Sequence, residues 1–240
     1  MTSAMLAATG GAEQSVPWAS TPVFVLVVMA ALSLAPFVLL LMTSFVKIAV
    51  VLSILKSALG AAQIPPSSII TGLAIVLTLF VMAPTGERMV RAVEPDLKLT
   101  PHTDTLVSGQ SLSIVVGAAV KAREPLREFL LRYAGQGERA TFFALAARRG
   151  SAEDRASRSD RDFLVLVPAF VASELRRAFQ IGVLLFIPFL LIDLVVSNFL
   201  VALGMNGLSP TSVALPFKLL LFVLADGWQL LLRGLVQSYG

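Results

Sequence analysis

Ala178–Leu203 reads AFQIGVLLFIPFLLIDLVVSNFLVAL and contains one ionisable side chain, Asp193, and one proline, Pro188. A run of about 20 apolar residues is long enough to cross a hydrocarbon core. A charge inside such a run is kept mostly where it faces protein or a polar pathway. The segment is therefore expected to pack around something rather than to act as a plain anchor. The same pattern extends outward. Pro22–Gly60 is apolar but holds Lys47 and Lys56, and Ser68–Ala83 is apolar throughout. Phe163–Leu232 adds Glu174, Arg176, Arg177, Lys218 and Asp226.

Of the 240 residues, 56% are hydrophobic and 14% charged, with a mean hydropathy of +0.83. Soluble domains carry about a quarter charged residues, so the chain is expected to be an all-α integral membrane or membrane-assembly protein. There is no cysteine, which excludes disulfides, thiol catalysis and cysteine metal sites. His102 is the sole histidine, so no zinc site or triad can be built from several histidines. No Gly-x-x-x-x-Gly-Lys motif is present, which argues against an intrinsic ATPase, and no cofactor is expected. The net charge is +4, with 13 of the 19 Lys/Arg between Arg88 and Arg161 and 10 of the 15 acids between Glu87 and Asp160. That middle segment is mixed-charge, with no single-sign run interleaved with aromatics, so nucleic acid is not an expected partner. The first 21 residues hold Glu13 but no Lys or Arg. A secretory leader wants a basic start, so Pro22 onward is expected to be a retained helix.

Four regions follow: a loosely ordered 1–21, an apolar helical hairpin over 22–84, a polar helical insert over 85–162 and a second apolar hairpin over 163–240. Lys47 and Lys56 are nine residues apart, which places them about 180° apart at 100° per residue. They cannot share a polar face, so one is expected to reach an interface by snorkelling while the other pairs within protein. Pro65-Pro66 should stop one helix and start the next, with Ser67 and Ser68 as caps, and that next helix should end at Pro84. Glu94-Pro95 and Thr100-Pro101 read as loops. Pro125 should divide 109–133 into two helices. Arg139–Arg149 reads as a short amphipathic helix, 150–161 as a mobile polar stretch and Thr211–Leu232 as a final apolar segment. Hydropathy suggests four spans. Basic residues in 43–67 place that segment in the cytoplasm by the positive-inside rule, which puts the insert on the periplasmic side.

Three blocks resemble one family. The first comprises Thr43–Lys47 (TSFVK), Leu52–Lys56 (LSILK), Gln63–Pro66 (QIPP), Gly72–Val76 (GLAIV) and Val81–Pro84 (VMAP). The second is Pro168–Gly182 (PAFVASELRRAFQIG), continuing to Pro188-Phe189 and Ile192–Leu194 (IDL). The third is Ser209-Pro210, Pro216–Lys218 (PFK) and Asp226–Trp228 (DGW). In this order they resemble the type III secretion export-gate subunits called FliP in flagella and SctR in injectisomes. Ser209-Pro210, the N-terminus without Lys or Arg and the closing Gln237–Tyr239 lean toward the injectisome branch.

The resemblance implies a non-enzymatic inner-membrane subunit that forms a ring-like, pentamer-like homo-oligomer. Its implied partners are FliQ/SctS-like and FliR/SctT-like gate subunits, an FlhB/SctU-like switch, FlhA/SctV-like subunits and unfolded secreted proteins. It also implies a pore-sealing methionine cluster in the loop after the Asp193 helix. Here that loop reads Met205, Asn206, Gly207, Leu208, and only Met205 keeps the pattern. Glu174, Arg176, Arg177, Asp193, Lys218 and Asp226 are candidate subunit-contact charges, set against the plainer expectation of pairs that merely satisfy buried charge within one chain. Lys218 and Asp226 share a helix face eight residues apart, too far to touch, so their partners must come from elsewhere. Gly182, Gly204 and Gly207 are expected to serve close packing or turns. A stand-alone proton-coupled transporter or channel is the alternative, since broken helices and midplane charges suit transporters too.

Overall fold

The computed structural model describes residues 22–60, 65–98, 109–149 and 159–240 apart from Asn206. The expectations for 1–21, His102, Thr100-Pro101, most of 150–161 and Asn206 lie outside the described residues. All regular structure among the described residues is helical. The helices are α1 (Pro22–Leu41), α2 (Phe45–Leu59), α3 (Ser67–Lys98), α4 (Gly109–Tyr133), α5 (Gln136–Arg149), α6 (Phe163–Ala202), α7 (Pro210–Leu224) and α8 (Gly227–Gln237). Among the described residues the chain divides into two units, 22–39 and 40–240. In the first, α1 continues through Pro36, and Ser33 Oγ donates to the Met29 carbonyl at 2.9 Å.

The second unit is organised around α2, which contacts α3, α6 and α7. Ile48, Val51, Leu52 and Leu55 fall at helical spacing and are fully buried, each contributing on the order of 1.5–3 kcal/mol. On the facing side of α6, Val165, Leu166, Ala169 and Phe170 are equally inaccessible. Gly182 lets the two helices close up: a Cβ there would lie 2.4 Å from Ile54 Cδ1. α4 and α5 both contact α6, and α4 also lies along α3.

Prolines expected to end or divide helices do not: α3 runs through Pro84 and Pro95 and α4 through Pro125. α6 runs through Pro168 and holds Pro188 in its interior, as its sequence suggested. A proline removes one backbone bond, at about 3 kcal/mol in an isolated helix. Here packed neighbours hold the flanking turns in place: Leu126, Phe129 and Leu130 after Pro125, and Val165 through Phe170 around Pro168. The final apolar segment is interrupted instead at Asp226, which adopts the left-handed conformation (φ 48°, ψ 43°) and bends α7 against α8 by 61°. Aspartate visits that region more readily than most side chains. Phe222 and Trp228 meet edge-on across the bend at 5.4 Å.

Of the four spans expected, α3 and α6 are long and apolar enough to cross a membrane, and the bent α7–α8 pair makes a third if it counts as one span. α1 is a further apolar helix of 20 residues without a charged side chain. The placement of 43–67 as a basic loop loses its premise. Residues 45–59 are helical, and Lys47 is buried within the protein.

Candidate functional site

The apolar helices carry their charges at two buried stations. At the first, α2 contributes Lys47, α6 contributes Glu174 and Arg177, and the residues after α8 contribute Tyr239. Lys47 is 1% exposed and Glu174 is fully buried, with Lys47 Nζ 3.4 Å from Glu174 Oε2. Arg177 Nη1 lies 2.7 Å from Glu174 Oε1 and donates to the Tyr133 carbonyl at 2.7 Å. The Tyr239 hydroxyl donates to Glu174 Oε2. Lys47 Nζ also sits 3.5 Å from the centroid of the Tyr239 ring, a cation–π contact. That ring packs on Phe129 and Tyr133 of α4 at centroid distances of 6.1 and 5.0 Å. The Tyr133 hydroxyl donates back to the Tyr239 carbonyl.

Burial pushes the Lys47 ammonium below its ordinary 10.5, against the opposing attraction of Glu174. Burial, reinforced by the negative charge of Glu174, pushes the Tyr239 phenol well above its ordinary 10. Glu174 therefore receives a lysine, an arginine and a neutral phenol from three separate segments. One further contact joins the α4–α5 link to this part of α6. Ser173 Oγ accepts from the Gly135 amide at 2.7 Å and donates to the Ala169 carbonyl at 2.7 Å.

The second station lies on the α6–α7 hairpin. Lys218 Nζ of α7 donates to Asp193 Oδ2 of α6 at 2.6 Å and to the Ala58 carbonyl in the last turn of α2 at 3.1 Å. Lys218 is 3% exposed, whereas Asp193 is 32% exposed. Asp193 Oδ1 is buried without a hydrogen-bond partner. One lysine thus fastens three helices and satisfies a carbonyl that a helix end would leave orphaned.

The loop joining α6 to α7 begins with a Schellman turn. Gly204 is left-handed (φ 72°), its amide donates to the Val201 carbonyl at 3.0 Å, and the Met205 amide reaches the Leu200 carbonyl at 2.9 Å. Glycine takes this conformation without a Cβ penalty. Met205, Gly207 and Leu208 are exposed on the turn.

Of the charges singled out from sequence, Glu174 and Arg177 come together, as do Asp193 and Lys218. Arg176, 60% exposed, pairs at 3.0 Å with Glu138 of α5 rather than with an aspartate. The Asp226 carboxylate is exposed and forms no ion pair among the described residues. Its structural contribution is the backbone bend. Lys47 and Lys56 divide as their spacing requires: Lys47 pairs inside the protein, and Lys56 reaches the edge of the unit to donate to Ser67 Oγ at 2.8 Å. Sequence reasoning passed over Tyr133 and Tyr239 as site residues. Leu231, Leu235 and Tyr239 recur every four residues and are all buried, so the register of α8 was the available clue to Tyr239.

The arrangement holds charge in fixed pairs, and no group of three or more His, Asp or Glu among the described residues could hold a metal. Outside the paired stations the surface of α6 is apolar and uncovered, with Phe179, Leu184, Leu191, Val195 and Phe199 all exposed.

Comparison with known proteins gives this architecture relatives over most of its length. Hypersensitivity response secretion protein HrcR of Ralstonia nicotianae is 41% identical over 215 residues, 89% of this chain and 96% of that protein. Yop proteins translocation protein R of Yersinia pestis is 44% identical over 216 residues, 90% of this chain and 95% of that protein. Flagellar biosynthetic protein FliP of Bacillus subtilis is 40% identical over 220 residues, covering 92% and 93%. The FliP family model matches residues 28–235, which takes in Lys47, Glu174, Arg177, Asp193, Lys218 and the Met205 turn. The chain belongs to the FliP family.

Proposed function

We propose that this chain is a core structural subunit of a type III protein export gate. In this account several copies join FliQ/SctS-like and FliR/SctT-like subunits in the inner membrane. Together they surround the entry route for unfolded substrate proteins, with FlhB/SctU-like and FlhA/SctV-like subunits alongside. The chain does no covalent chemistry. It is an export-apparatus membrane protein, and its relatives carry secretion, translocation and flagellar names. The observation that carries the gate reading is the contrast on α6: its charges are satisfied inward, while Phe179, Leu184, Leu191, Val195 and Phe199 stay uncovered. So much apolar surface needs a cover, and neighbouring subunits and lipid supply it.

Met205 and Leu208 on the α6–α7 turn, together with Asn206 and Gly207, form the part of the chain that narrows the route. A thioether is flexible enough to close around a passing chain and reseal. Glu174, Arg176, Arg177, Asp193, Lys218 and Asp226 hold the surfaces that meet neighbouring subunits, in several cases through their partners within the chain. The injectisome branch is favoured by Ser209-Pro210 and an N-terminus without Lys or Arg.

Deletion of the gene tests the proposal. Secretion of the system's substrates into the medium should be lost and then restored by the intact chain; secretion that persists after deletion contradicts the export role. In cells carrying the assembled gate, Met205→Gly should raise small-solute leak across the inner membrane. Unchanged leak removes Met205 from the seal.

A further inference from the structure

The first charge station is also the floor of an open cleft of about 330 Å³, lined by Lys47, Tyr133, Arg177, Gln180 and Ser238, with Ile181 and Leu184 at one side. Those last two side chains are shared with a second concavity of about 480 Å³. This groove follows α6 toward Pro188 and is walled by Leu221, Phe222, Leu231 and Gly234 of α7 and α8. The two spaces adjoin at Ile181 and Leu184, the first polar and cationic and the second apolar.

We propose that this cleft and groove form a binding site for an anionic phospholipid, with the headgroup phosphate on Arg177, Gln180 and Ser238 and one acyl chain in the α6–α8 groove. Three observations carry the assignment. The first is charge. Lys47 and Arg177 line the cleft, whereas Glu174 is fully buried behind them, so two cations and one carboxylate leave an excess positive charge facing the opening. The second is unused donor capacity. A guanidinium carries five N–H donors, and the Arg177 bonds to Glu174 and Tyr133 use Nη1 alone, on a side chain 35% exposed. The third is length. The groove runs along α6 from Ile181 to Phe189, eight residues or about 12 Å at 1.5 Å per residue. One leaflet is half of a core of about 30 Å, so the groove takes most of the length of one acyl chain. Arg177 also stands where the uncharged run Ala178–Ile192 begins, the level at which a headgroup meets hydrocarbon. The site depends on the chain being in a membrane and not on its role in export.

The test uses the full chain purified in mild detergent and exchanged with equimolar phosphatidylglycerol and phosphatidylcholine, with retained lipid quantified by mass spectrometry. Phosphatidylglycerol should be preferred about five- to tenfold, the effect of roughly one well-placed basic side chain. Arg177→Gln also disturbs Glu174, so the deciding variants lie elsewhere. Gln180→Glu, at an exposed position, puts a carboxylate on the lip of the cleft and should bring the preference to near one. Gly234→Phe projects into the groove, where a Cβ meets nothing within 4 Å, and should reduce retention of phosphatidylglycerol about tenfold. Equal retention of the two lipids by the unaltered chain overturns the proposal, as does a preference that survives Gln180→Glu. It is also overturned by a lipid-free oligomer in which a cysteine placed at 180 cross-links to a second copy, since a protein face would then occupy the cleft.

Discussion

The two charge stations share a chemistry and differ in enclosure. At the first, Glu174 is sealed and shared among Lys47, Arg177 and Tyr239. At the second, Lys218 is sealed, but its partner Asp193 is about a third exposed. Moving a charge out of water costs several kcal/mol after relaxation, and only close, multiple partners offset that cost. Glu174, with no exposed surface, must therefore be satisfied from within, which fixes α2, α6 and the segment after α8 relative to one another. The second station holds Asp193 by one ion pair and leaves its Oδ1 without a hydrogen-bond partner, so it tolerates movement more readily. The rigid station lies near the N-terminal third of α6, and the tolerant one lies on the α6–α7 hairpin that carries the Met205 turn. The same helix thus pairs a fixed base with a more adaptable end.

The largest effect should come from Glu174→Ala. It strands Lys47 and Arg177 together in the interior and should lower stability by about 3–5 kcal/mol, read as loss of folded protein in detergent thermal denaturation. Near-normal stability would show that the first station is not sealed. Tyr239→Phe should follow at about 1.5–3 kcal/mol near neutral pH, the range for a hydrogen bond to a charged group.

The Tyr239 variant also has a pH signature. The folded protein holds the Tyr239 proton above pH 10, whereas the unfolded chain releases it from about 10. The unfolded state then binds fewer protons, so this group's contribution falls as pH rises beyond 10. Lys47 has the opposite slope below 10.5, because the unfolded chain binds its proton more tightly. The stability gap between the unaltered chain and Tyr239→Phe should therefore narrow above pH 10. A gap that stays constant there would mean that Tyr239 is not shielded.

Lys218→Ala should cost about 1–3 kcal/mol, since Asp193 is about a third exposed and the Ala58 carbonyl loses a donor. It should also reduce assembly with partner subunits. Equal losses for Lys218→Ala and Glu174→Ala would erase the distinction between the stations. Arg176→Ala, which breaks an exposed pair with Glu138, should change stability by no more than about 1 kcal/mol. A larger loss would make the α5–α6 contact a third station.

Much of this was legible in the chain because it depends on local spacing. Nine residues between Lys47 and Lys56 forced them onto opposite faces, and one is buried while the other reaches an edge. Eight residues between Lys218 and Asp226 ruled out direct contact, and the partner of Lys218 is Asp193. Close packing at Gly182 and a turn at Gly204 were also readable. Tyr239 was missed because its contacts reach back 65 residues to Glu174 and 106 to Tyr133, beyond the range of any periodicity. The prolines misled for a related reason: local chemistry argues for a break, but buried neighbours such as Phe129 and Phe170 hold the helix through it. Asp226, read from its charge alone, also supplies a left-handed backbone that bends an apolar segment into two helices.

Native mass spectrometry of the detergent-extracted chain, alone and co-expressed with its FliQ/SctS-like and FliR/SctT-like partners, tests the central claim most directly. The uncovered apolar surface of α6 should be met by a discrete multi-copy complex that takes up both partners. A stable monomer or dimer that ignores them would contradict the gate and return the transporter reading to the front.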